Sequence, residues 1–273
     1  MMRLSCQVST DEVYRKAGVT SYQGDLEEVF PRLAGWGYQG IELTVREPSA
    51  VDCRRIETLS AQYQLPITMI CTGELYGQDR LSFSDPDPKV RAEALRRFKG
   101  AVDLAERFGV DVNLGRVRGG IAQGEPPEVQ VHRIESALRE VADYAENKGV
   151  TIVLEPVNTL ALNYINTTEE GLSLVEKISS ASFQLMVDTA HLHIEDRDVP
   201  GILKQAMPHI RYVHLADSNR KYPGGGVFRF SEFISLLEEL GYEGWLSVEV
   251  FPLPDQDTAF RLASQNILPL ISD

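Results

Sequence analysis

The chain has 273 residues, 43% of which are hydrophobic, and it carries a formal net charge of −13 at pH 7. That length allows two domains or one barrel of about 250 residues. The acidic balance argues against a nucleic-acid partner, because a duplex-binding protein needs Lys and Arg to displace counterions, and no apolar run approaches the roughly 20 residues that span a bilayer.

Short β-branched or apolar runs alternate with longer amphipathic stretches along the whole chain, as in repeated strand–helix units. The strands that these runs predict are 4–9, 40–44, 66–72, 110–115, 150–156, 183–188, 210–217 and 244–251. Amphipathic patterns predict helices over 86–109 and 128–149. The apolar residues expected to face the sheet from the second helix are Val131, Ile134, Leu138, Val141 and Ala145.

A glycine stands just before four of the predicted strands, where a left-handed helix C-cap is commonly needed. These glycines are Gly37, Gly109, Gly149 and Gly241. The only longer irregular stretches that we identify are 73–86, 116–127 and 218–229, and each follows a strand.

Eight strand–helix units in one chain without a linker predict an α/β fold, a single (β/α)8 TIM barrel spanning residues 1–273. The main alternative is an open doubly wound sheet. That fold more often uses fewer strands, and the first predicted strand is not followed by the G-x-G-x-x-G pattern of dinucleotide-binding sheets.

The N-terminal segment MMRLSCQVSTDEV has no long apolar stretch, so we expect no signal peptide. The cysteines Cys6, Cys53 and Cys71 are few, odd in number and not spaced as C-x-x-C. This usage is typical of a reducing compartment and argues against a disulfide framework or a cysteine zinc site. The sequence therefore predicts a cytoplasmic protein.

Acidic and imidazole side chains stand at the ends of four consecutive predicted strands, where barrels of this kind carry their chemistry. They are Glu155, Asp188, His214 and Glu249. Glu155 and Glu249 have apolar neighbours, and a carboxylate there costs several kcal/mol unless it is paired or bound to an ion. A divalent cation would remove that cost and the repulsion among the three carboxylates.

This oxygen-rich set suits Mn²⁺, Mg²⁺ or Co²⁺, with Zn²⁺ as a further candidate. An octahedral shell with four protein ligands leaves two positions for substrate oxygens. A helix cap or a salt bridge is the commoner role for any one strand-end acid taken alone, but equivalent positions on consecutive strands favour a shared site.

Four segments of the chain resemble signature segments of the sugar isomerase/epimerase family with a xylose-isomerase-like TIM barrel: VLEPVN, MVDTAH, VHLADSNR followed by PGGG, and GWLSVEVFP. The resemblance implies one bound divalent metal ion, for which Mn²⁺ is our first expectation, held by Glu155, Asp188, His214 and Glu249. It also implies a homo-oligomer, either a dimer or a tetramer. Three N-terminal segments are similar to an acidic keto-sugar branch of the 5-keto-L-gluconate epimerase type, beside enzymes of the D-tagatose 3-epimerase type: GYQGIELTVREPSAVD, PITMICTGELYGQDRLSFSDPD and GRVRGG.

By the same resemblance, His191 and Arg220 contact hydroxyls or the carbonyl of the substrate. The residues alone leave a surface ion pair with Asp217 or Glu232 open for Arg220. Further predicted substrate contacts are Arg118, Asn158 and Glu74.

Several polar positions near the strand ends have more than one interpretation. Arg116 and Arg118 either pair with a substrate carboxylate or form a solvated basic turn. The glycines at 224–226 let their loop approach a ligand closely, with phosphate binding as an alternative. For Glu42 and Glu74 a supporting or substrate-contacting role is open, and a plain hydrogen-bonding role is favoured.

The predicted reaction is epimerisation at a carbon next to the ketone of a keto-sugar or keto-sugar acid. Glu155 and Glu249 act as acid and base on opposite faces of a metal-stabilised enediolate. The alternatives are an aldose–ketose isomerase of the hydroxypyruvate isomerase type, an inosose dehydratase and a non-catalytic sugar-binding barrel. An endonuclease IV-like nuclease is more remote, because five histidines and a net charge of −13 do not suit a three-zinc, DNA-facing site.

Overall fold

A computed structural model describes residues 1–271 of the chain. Its strands are β1 (Arg3–Ser9), β2 (Gly40–Thr44), β3 (Ile67–Cys71), β4 (Asp111–Leu114), β5 (Ile152–Leu154), β6 (Phe183–Asp188), β7 (Ile210–Leu215) and β8 (Trp245–Val248). They are parallel and pair in sequence order, and β1 also pairs with β8, so the sheet closes into a barrel. The closed ring confirms the predicted TIM barrel and excludes the open doubly wound sheet.

Helices surround this ring and connect its strands. They are α1 (Leu26–Gly35), α2 (Cys53–Tyr63), α3 (Gly73–Gly77), α4 (Pro88–Phe108), α5 (Pro127–Asn147), α6 (Thr168–Ile178), α7 (Thr189–Glu195), α8 (Val199–Ala206), α9 (Phe230–Glu239) and α10 (Gln256–Ile271). The two helices predicted from periodicity are α4 and α5, and their observed ends lie within two residues of the predicted ones. Among residues 1–271, none of the helices is long and apolar enough to cross a membrane.

The main apolar core combines buried residues of the strands with the inward-facing stripes of the helices. Helix α5 shows how the sequence specifies this core, because residues at spacings of three and four share one helix face. Of the five residues predicted to face the sheet, Val131 is half-buried and the others are buried, namely Ile134, Leu138, Val141 and Ala145.

The predicted glycine joints have the expected left-handed backbone. The φ angles are +85° at Gly37, +66° at Gly109, +66° at Gly149 and +76° at Gly241. A residue with a Cβ is strained at such angles, which explains the glycines at these four joints, although Gln64 after α2 and Ser179 after α6 adopt similar angles of +56° and +57°.

The three predicted irregular stretches do lie beyond strand ends, but 73–86 begins with the short helix α3, and the three are not the only long ones. The stretches 10–25 and 155–167 also lack helix and extended strand. Sequence patterns missed them because 155–167 continues an apolar segment and 10–25 contains several apolar residues. Both stretches follow a strand, so they belong to the same end of the barrel as the other loops.

The interior of the barrel changes character along its axis. A small apolar cluster inside it, separate from the main core, consists of Met69, Val153, Met186 and Tyr212. The Tyr212 hydroxyl lies 3.0 Å from Ser5 Oγ and 2.7 Å from Thr68 Oγ1, so β7 contacts β1 and β3 across the interior. Charged side chains follow towards the carboxyl ends of the strands, and this is where the candidate site lies.

Candidate metal centre and active-site cavity

The structure brings together the four side chains proposed as metal ligands. Their donor atoms all lie within 4.8 Å of one another, and the residues are Glu155, Asp188, His214 and Glu249. His214 is on β7 and Asp188 ends β6, whereas Glu155 and Glu249 follow β5 and β8. Neighbouring strands place their ends at one rim, which explains how residues distant in sequence meet.

His214 is the centre of this group, and it is fully buried. Its Nδ1 lies 3.2 Å from Glu155 Oε1 and 3.2 Å from Glu249 Oε2. Its Nε2 lies 3.0 Å from each carboxylate oxygen of Glu42. Burial alone would lower the pKa of His214, but the carboxylates of Glu42 and Glu249 and the hydrogen bond with Glu155 raise it well above its ordinary value.

Glu155 and Glu249 both contact Nδ1 of His214. Each directs one oxygen towards Nδ1, and each accepts a hydrogen bond from a neutral donor at the other oxygen. Asn113 Nδ2 donates to Glu155 Oε2 over 3.1 Å, and Thr20 Oγ1 donates to Glu249 Oε1 over 3.0 Å. Each carboxylate is therefore held at both of its oxygens.

Asp188 has one satisfied oxygen and one without a partner. Oδ1 accepts hydrogen bonds from the backbone N–H groups of Ala190 (2.8 Å) and His191 (3.1 Å) at the start of α7, and from Arg220 Nη1 (2.7 Å). Oδ2 is buried and has no hydrogen-bond partner in the described part of the chain. Burial raises the pKa of Asp188, and the nearby guanidinium of Arg220 opposes that rise.

Arg220 links two members of the group, because Nη1 contacts Asp188 and Nη2 contacts Glu249. The surface ion pair with Asp217 or Glu232 that the sequence left open is not formed, and Glu232 pairs with Arg229 instead. Burial would raise the pKa of Glu249, but Arg220 and His214 hold it well below its ordinary range.

These residues fit a divalent cation. The set contains three carboxylates and one imidazole, donors that Mn²⁺, Mg²⁺, Co²⁺ and Zn²⁺ accept. The buried Asp188 Oδ2 is an unused acceptor, and such an atom is costly unless a hydrogen bond or an ion satisfies it. Arg220 supplies only part of the positive charge that the carboxylates require.

The loop after β7 is organised around Asp217, which is fully buried. Its carboxylate accepts hydrogen bonds from the backbone N–H groups of Ser218 (2.7 Å), Gly224 (2.9 Å) and Phe228 (3.0 Å). A Cβ at Gly226 would lie 2.2 Å from Asp217 Oδ1, so glycine is required there for packing. Because Asp217 occupies these amides, the alternative of a phosphate held by the glycine loop receives no support from the structure.

A cavity of about 390 Å³ is lined by two of the four candidate ligands, Glu155 and Glu249. The polar side chains that line it include Arg116, Glu155, Asn158, His191, Arg220 and Glu249. Three predicted substrate contacts are therefore in position, namely Asn158, His191 and Arg220.

His191 and Asn158 form one hydrogen-bonded unit on the wall of this cavity. Asn158 Nδ2 donates to His191 Nδ1 over 2.8 Å, which leaves the ring proton on Nε2. Burial, with the adjacent positive charge of Arg220, lowers the pKa of His191 to about 3. The imidazole is therefore a neutral hydrogen-bond donor near pH 7.

Arg118 is the clearest correction to the predicted substrate contacts. It is fully buried and does not line the cavity. Its guanidinium donates to the backbone carbonyls of Gly115 (2.7 Å), Glu155 (2.9 Å), Tyr164 (3.0 Å) and Ile165 (2.7 Å). A side chain committed to four carbonyls is not available to a substrate.

Arg116, two residues earlier, lines the cavity instead. Its Nη2 donates to the Gly73 carbonyl over 3.1 Å and lies 3.8 Å from Glu74 Oε1. Glu74 is buried behind Arg116 and does not line the cavity, so its predicted substrate contact is not supported. Burial raises the pKa of Glu74, and Arg116 opposes the rise.

Two supporting residues escaped the sequence analysis, Asn113 and Thr20. Asn113 had a usable signal, because an amide in the otherwise apolar β4 segment VNL needs a partner when buried. Thr20 lies in the irregular stretch 10–25, and nothing in its local sequence marks it.

Comparisons with known proteins give consistent results. The family model described as "Xylose isomerase-like TIM barrel" matches residues 30–265. A protein of Synechocystis sp. named "Probable ketose 3-epimerase" is 25% identical over 241 residues, covering 87% of this chain and 83% of that protein. The "L-ribulose 3-epimerase" of Mesorhizobium japonicum is 30% identical over 238 residues, covering 85% of this chain and 77% of that protein.

A solved structure shows the same architecture. The apo form of 3-keto-D-glucoside 4-epimerase from E. coli superposes with a TM-score of 0.81 and covers 100% of both chains. Its sequence identity is 18%, so this likeness concerns the fold alone.

Proposed function

The chain belongs to the xylose isomerase-like TIM barrel family, and from this premise we propose that it is a metal-dependent carbohydrate epimerase that inverts a carbon next to the ketone of a keto-sugar or keto-sugar acid. One observation carries the proposal: the carboxylates of Glu155 and Glu249 each lie 3.2 Å from His214 Nδ1, and both residues line the cavity. Relatives named ketose 3-epimerase and L-ribulose 3-epimerase support it.

The residues that would hold the cation are Glu155, Asp188, His214 and Glu249. A bound divalent ion, which we take to be Mn²⁺ with Mg²⁺, Co²⁺ or Zn²⁺ as alternatives, would supply Lewis-acid stabilisation of the charge that develops on the substrate oxygens. The choice of Mn²⁺ over the other three ions is part of this proposal.

The two glutamates transfer the proton. Inversion needs one carboxylate that removes the proton from one face of the carbon and one protonated carboxyl group that returns a proton to the other face. In this proposal Glu249 gains the proton that leaves and Glu155 gives up its own, and exchange with water resets both groups; the roles are reversed in the reverse reaction. Glu249 begins as a carboxylate, because Arg220 and His214 hold its pKa well below the ordinary range. We assign proton transfer to Glu155 Oε2 and Glu249 Oε1, the oxygens that accept hydrogen bonds from Asn113 and Thr20 rather than face His214.

The cavity wall supplies the substrate contacts in this proposal. His191 donates from Nε2–H to a substrate oxygen, with its tautomer set by Asn158. Arg220 is close enough to the glutamates to bind the substrate near the reacting carbon. Arg116, on the opposite loop, pairs with the carboxylate of a keto-sugar acid, because a guanidinium binds a carboxylate through two parallel hydrogen bonds.

Replacing Glu155 with glutamine tests the catalytic role. Glu155→Gln keeps the size of the side chain but removes one of the two groups that exchange a proton with the substrate, so kcat/KM should fall by about 10²–10⁴-fold. Glu176→Gln is the matched control, because Glu176 is exposed on α6. Turnover should be measured together with thermal unfolding of both variants. Retained activity in a folded, metal-loaded Glu155→Gln protein would contradict the proposal.

Deuterated water separates epimerisation from the related isomerisation and dehydration. Incubation with neutral ketoses and keto-sugar acids should place deuterium at the inverted carbon. Movement of the carbonyl would indicate an isomerase, and loss of water would indicate a dehydratase.

A cytoplasmic location and a dimeric or tetrameric assembly remain predictions from the sequence. The cysteines Cys6, Cys53 and Cys71 are buried and unpaired, which agrees with a reducing compartment.

A further inference from the structure

Glu42 is a carboxylate deep inside the barrel for which the proposed reaction has no use. It lies on β2 and is fully buried. Its two oxygens lie 3.0 Å from His214 Nε2, and Oε1 also accepts a hydrogen bond from Gln7 Nε2 over 3.2 Å. Burying a carboxylate costs free energy unless hydrogen-bond donors surround it. The donors around Glu42 therefore indicate that its charge has a specific role.

The geometry determines which ring nitrogen of His214 faces which group. Nε2 points at Glu42, and Nδ1 points at Glu155 and Glu249. A carboxylate can only accept hydrogen bonds, so Nε2 must carry a proton to bind Glu42. Nδ1 faces Glu155 and Glu249, which are themselves proposed metal ligands, so a cation held by those carboxylates would replace a proton on Nδ1 and bind its lone pair.

We propose that Glu42 is a positioning residue that fixes the ring orientation and tautomer of His214, so that Nδ1 is the atom presented to the metal ion. The inference rests on the proposed metal site but adds a residue to it. An imidazole ligand whose second nitrogen donates to a carboxylate is held in one orientation and is a stronger donor to the metal.

The surroundings of Glu42 support a fixed arrangement. Gln7 Nε2 contacts both Glu42 and Cys71 Sγ, at 3.2 and 3.3 Å, so the carboxylate is itself held from β1. The Tyr212 ring packs edge-on against the His214 ring, with 5.8 Å between centroids, and limits its rotation. A 180° flip of the imidazole would lose both the Glu42 contact and the alignment of Nδ1 with the glutamates.

The first test is the affinity of the intact protein for Mn²⁺, measured by calorimetry. Glu42→Gln should raise the Kd for Mn²⁺ by about 10–100-fold, because the amide is uncharged and can present an N–H to the ring. Glu42→Asp retains a carboxylate and should recover part of the affinity. The control is Glu12→Gln, a part-buried carboxylate bonded to Thr10 and the Arg46 backbone, which should leave the Kd unchanged.

The second test reads the tautomer directly. Long-range proton–nitrogen NMR of the ¹⁵N-histidine-labelled, Zn²⁺-loaded wild-type protein should show His214 protonated at Nε2 and unprotonated at Nδ1. The opposite tautomer would overturn the inference, and this measurement decides it even if Glu42→Gln does not fold.

The two proposals fail in different ways. If the wild-type protein binds Mn²⁺ and Glu42→Gln binds it equally well, the role of Glu42 is wrong while the metal site stands. If the wild-type protein binds neither Mn²⁺ nor Zn²⁺, the metal site is wrong, and the role of Glu42 is wrong with it.

Discussion

The loops after β4 and β7 are built on the same plan with opposite charges. Arg118, a cation on the loop after β4, gathers one backbone carbonyl of its own loop, that of Gly115, and three carbonyls of the loop after β5, those of Glu155, Tyr164 and Ile165. In the loop after β7, the anion Asp217 gathers backbone N–H groups. Each loop also presents an arginine to the cavity, Arg116 from the first and Arg220 from the second.

The sign of each buried charge matches the backbone groups that converge on it. Carbonyls converge on Arg118, which joins its loop to the loop after β5, and amides converge on Asp217, which holds its own loop in shape. In both loops the neighbouring arginine is left to face the cavity. Arg116 and Arg118 are two residues apart and identical in type, yet only Arg116 lines the cavity. Residue type therefore does not show that Arg118 anchors its loop inside the protein while Arg116 faces the cavity.

Removing the cationic anchor should have the largest effect on stability. Arg118→Met removes the shared donor of buried carbonyls in the loops after β4 and β5, and we expect a loss of about 3–5 kcal/mol in the free energy of unfolding. Urea unfolding measures this loss. Arg139→Met is the control, because Arg139 also donates to backbone carbonyls but at the surface, and its effect should stay within about 0.5 kcal/mol. Equal effects in the two variants would refute the anchor role.

Removing the anionic anchor should have an intermediate effect that depends on pH. Asp217→Asn weakens hydrogen bonds to a charged acceptor and should cost about 1.5–3 kcal/mol at pH 7. Burial would raise the pKa of Asp217, but its backbone hydrogen bonds lower it overall.

The sign of the pH dependence follows from that lowered pKa. A carboxyl group with a lowered pKa in the folded state contributes its full stability above the unfolded value, about 3.9, and loses it as the pH falls through the folded value. The difference in unfolding free energy between wild type and Asp217→Asn should therefore shrink below about pH 4. A difference of the same size at pH 7 and pH 3 would argue against this explanation.

Changing a cavity arginine should have the smallest effect and should alter binding. Arg116→Met should raise KM for a keto-sugar acid by about 10-fold, the value of one charged hydrogen bond, with kcat little changed. KM for a neutral ketose serves as the internal control and should not move. An equal rise in KM for both substrates would contradict a pairing between Arg116 and a substrate carboxylate.

The fold could be predicted from the sequence because the patterns that specify it are local and recur along the chain. Period-3.6 stripes predicted α4 and α5, and glycine before a strand predicted the left-handed joints at Gly109 and Gly149. The stretches 10–25 and 155–167 were missed because irregular backbone that contains apolar residues has no period to detect.

The site was accessible only in part. Strand-end positions located the four candidate ligands, since parallel strands bring their carboxyl ends to one rim. The partners of those ligands depend on contacts across the barrel, and no local pattern encodes them. Glu42 and His214 are 172 residues apart in the sequence. The direction of the Arg118 side chain is set by carbonyls more than 35 residues away in the sequence, together with the Gly115 carbonyl of its own turn.

All four candidate ligands come from β5 to β8 or the residues directly after them, whereas the opposite wall of the cavity includes Gly18, Gly73 and Arg116 from the first half of the chain. In the proposed function, this arrangement would separate the proton-transferring glutamates from much of the surface that contacts the sugar. Laboratory evolution of new sugar preferences should therefore begin with libraries in 10–25, 73–87 and 115–126 that keep Thr20 and Arg118 unchanged, because Thr20 holds Glu249 and Arg118 is a buried anchor.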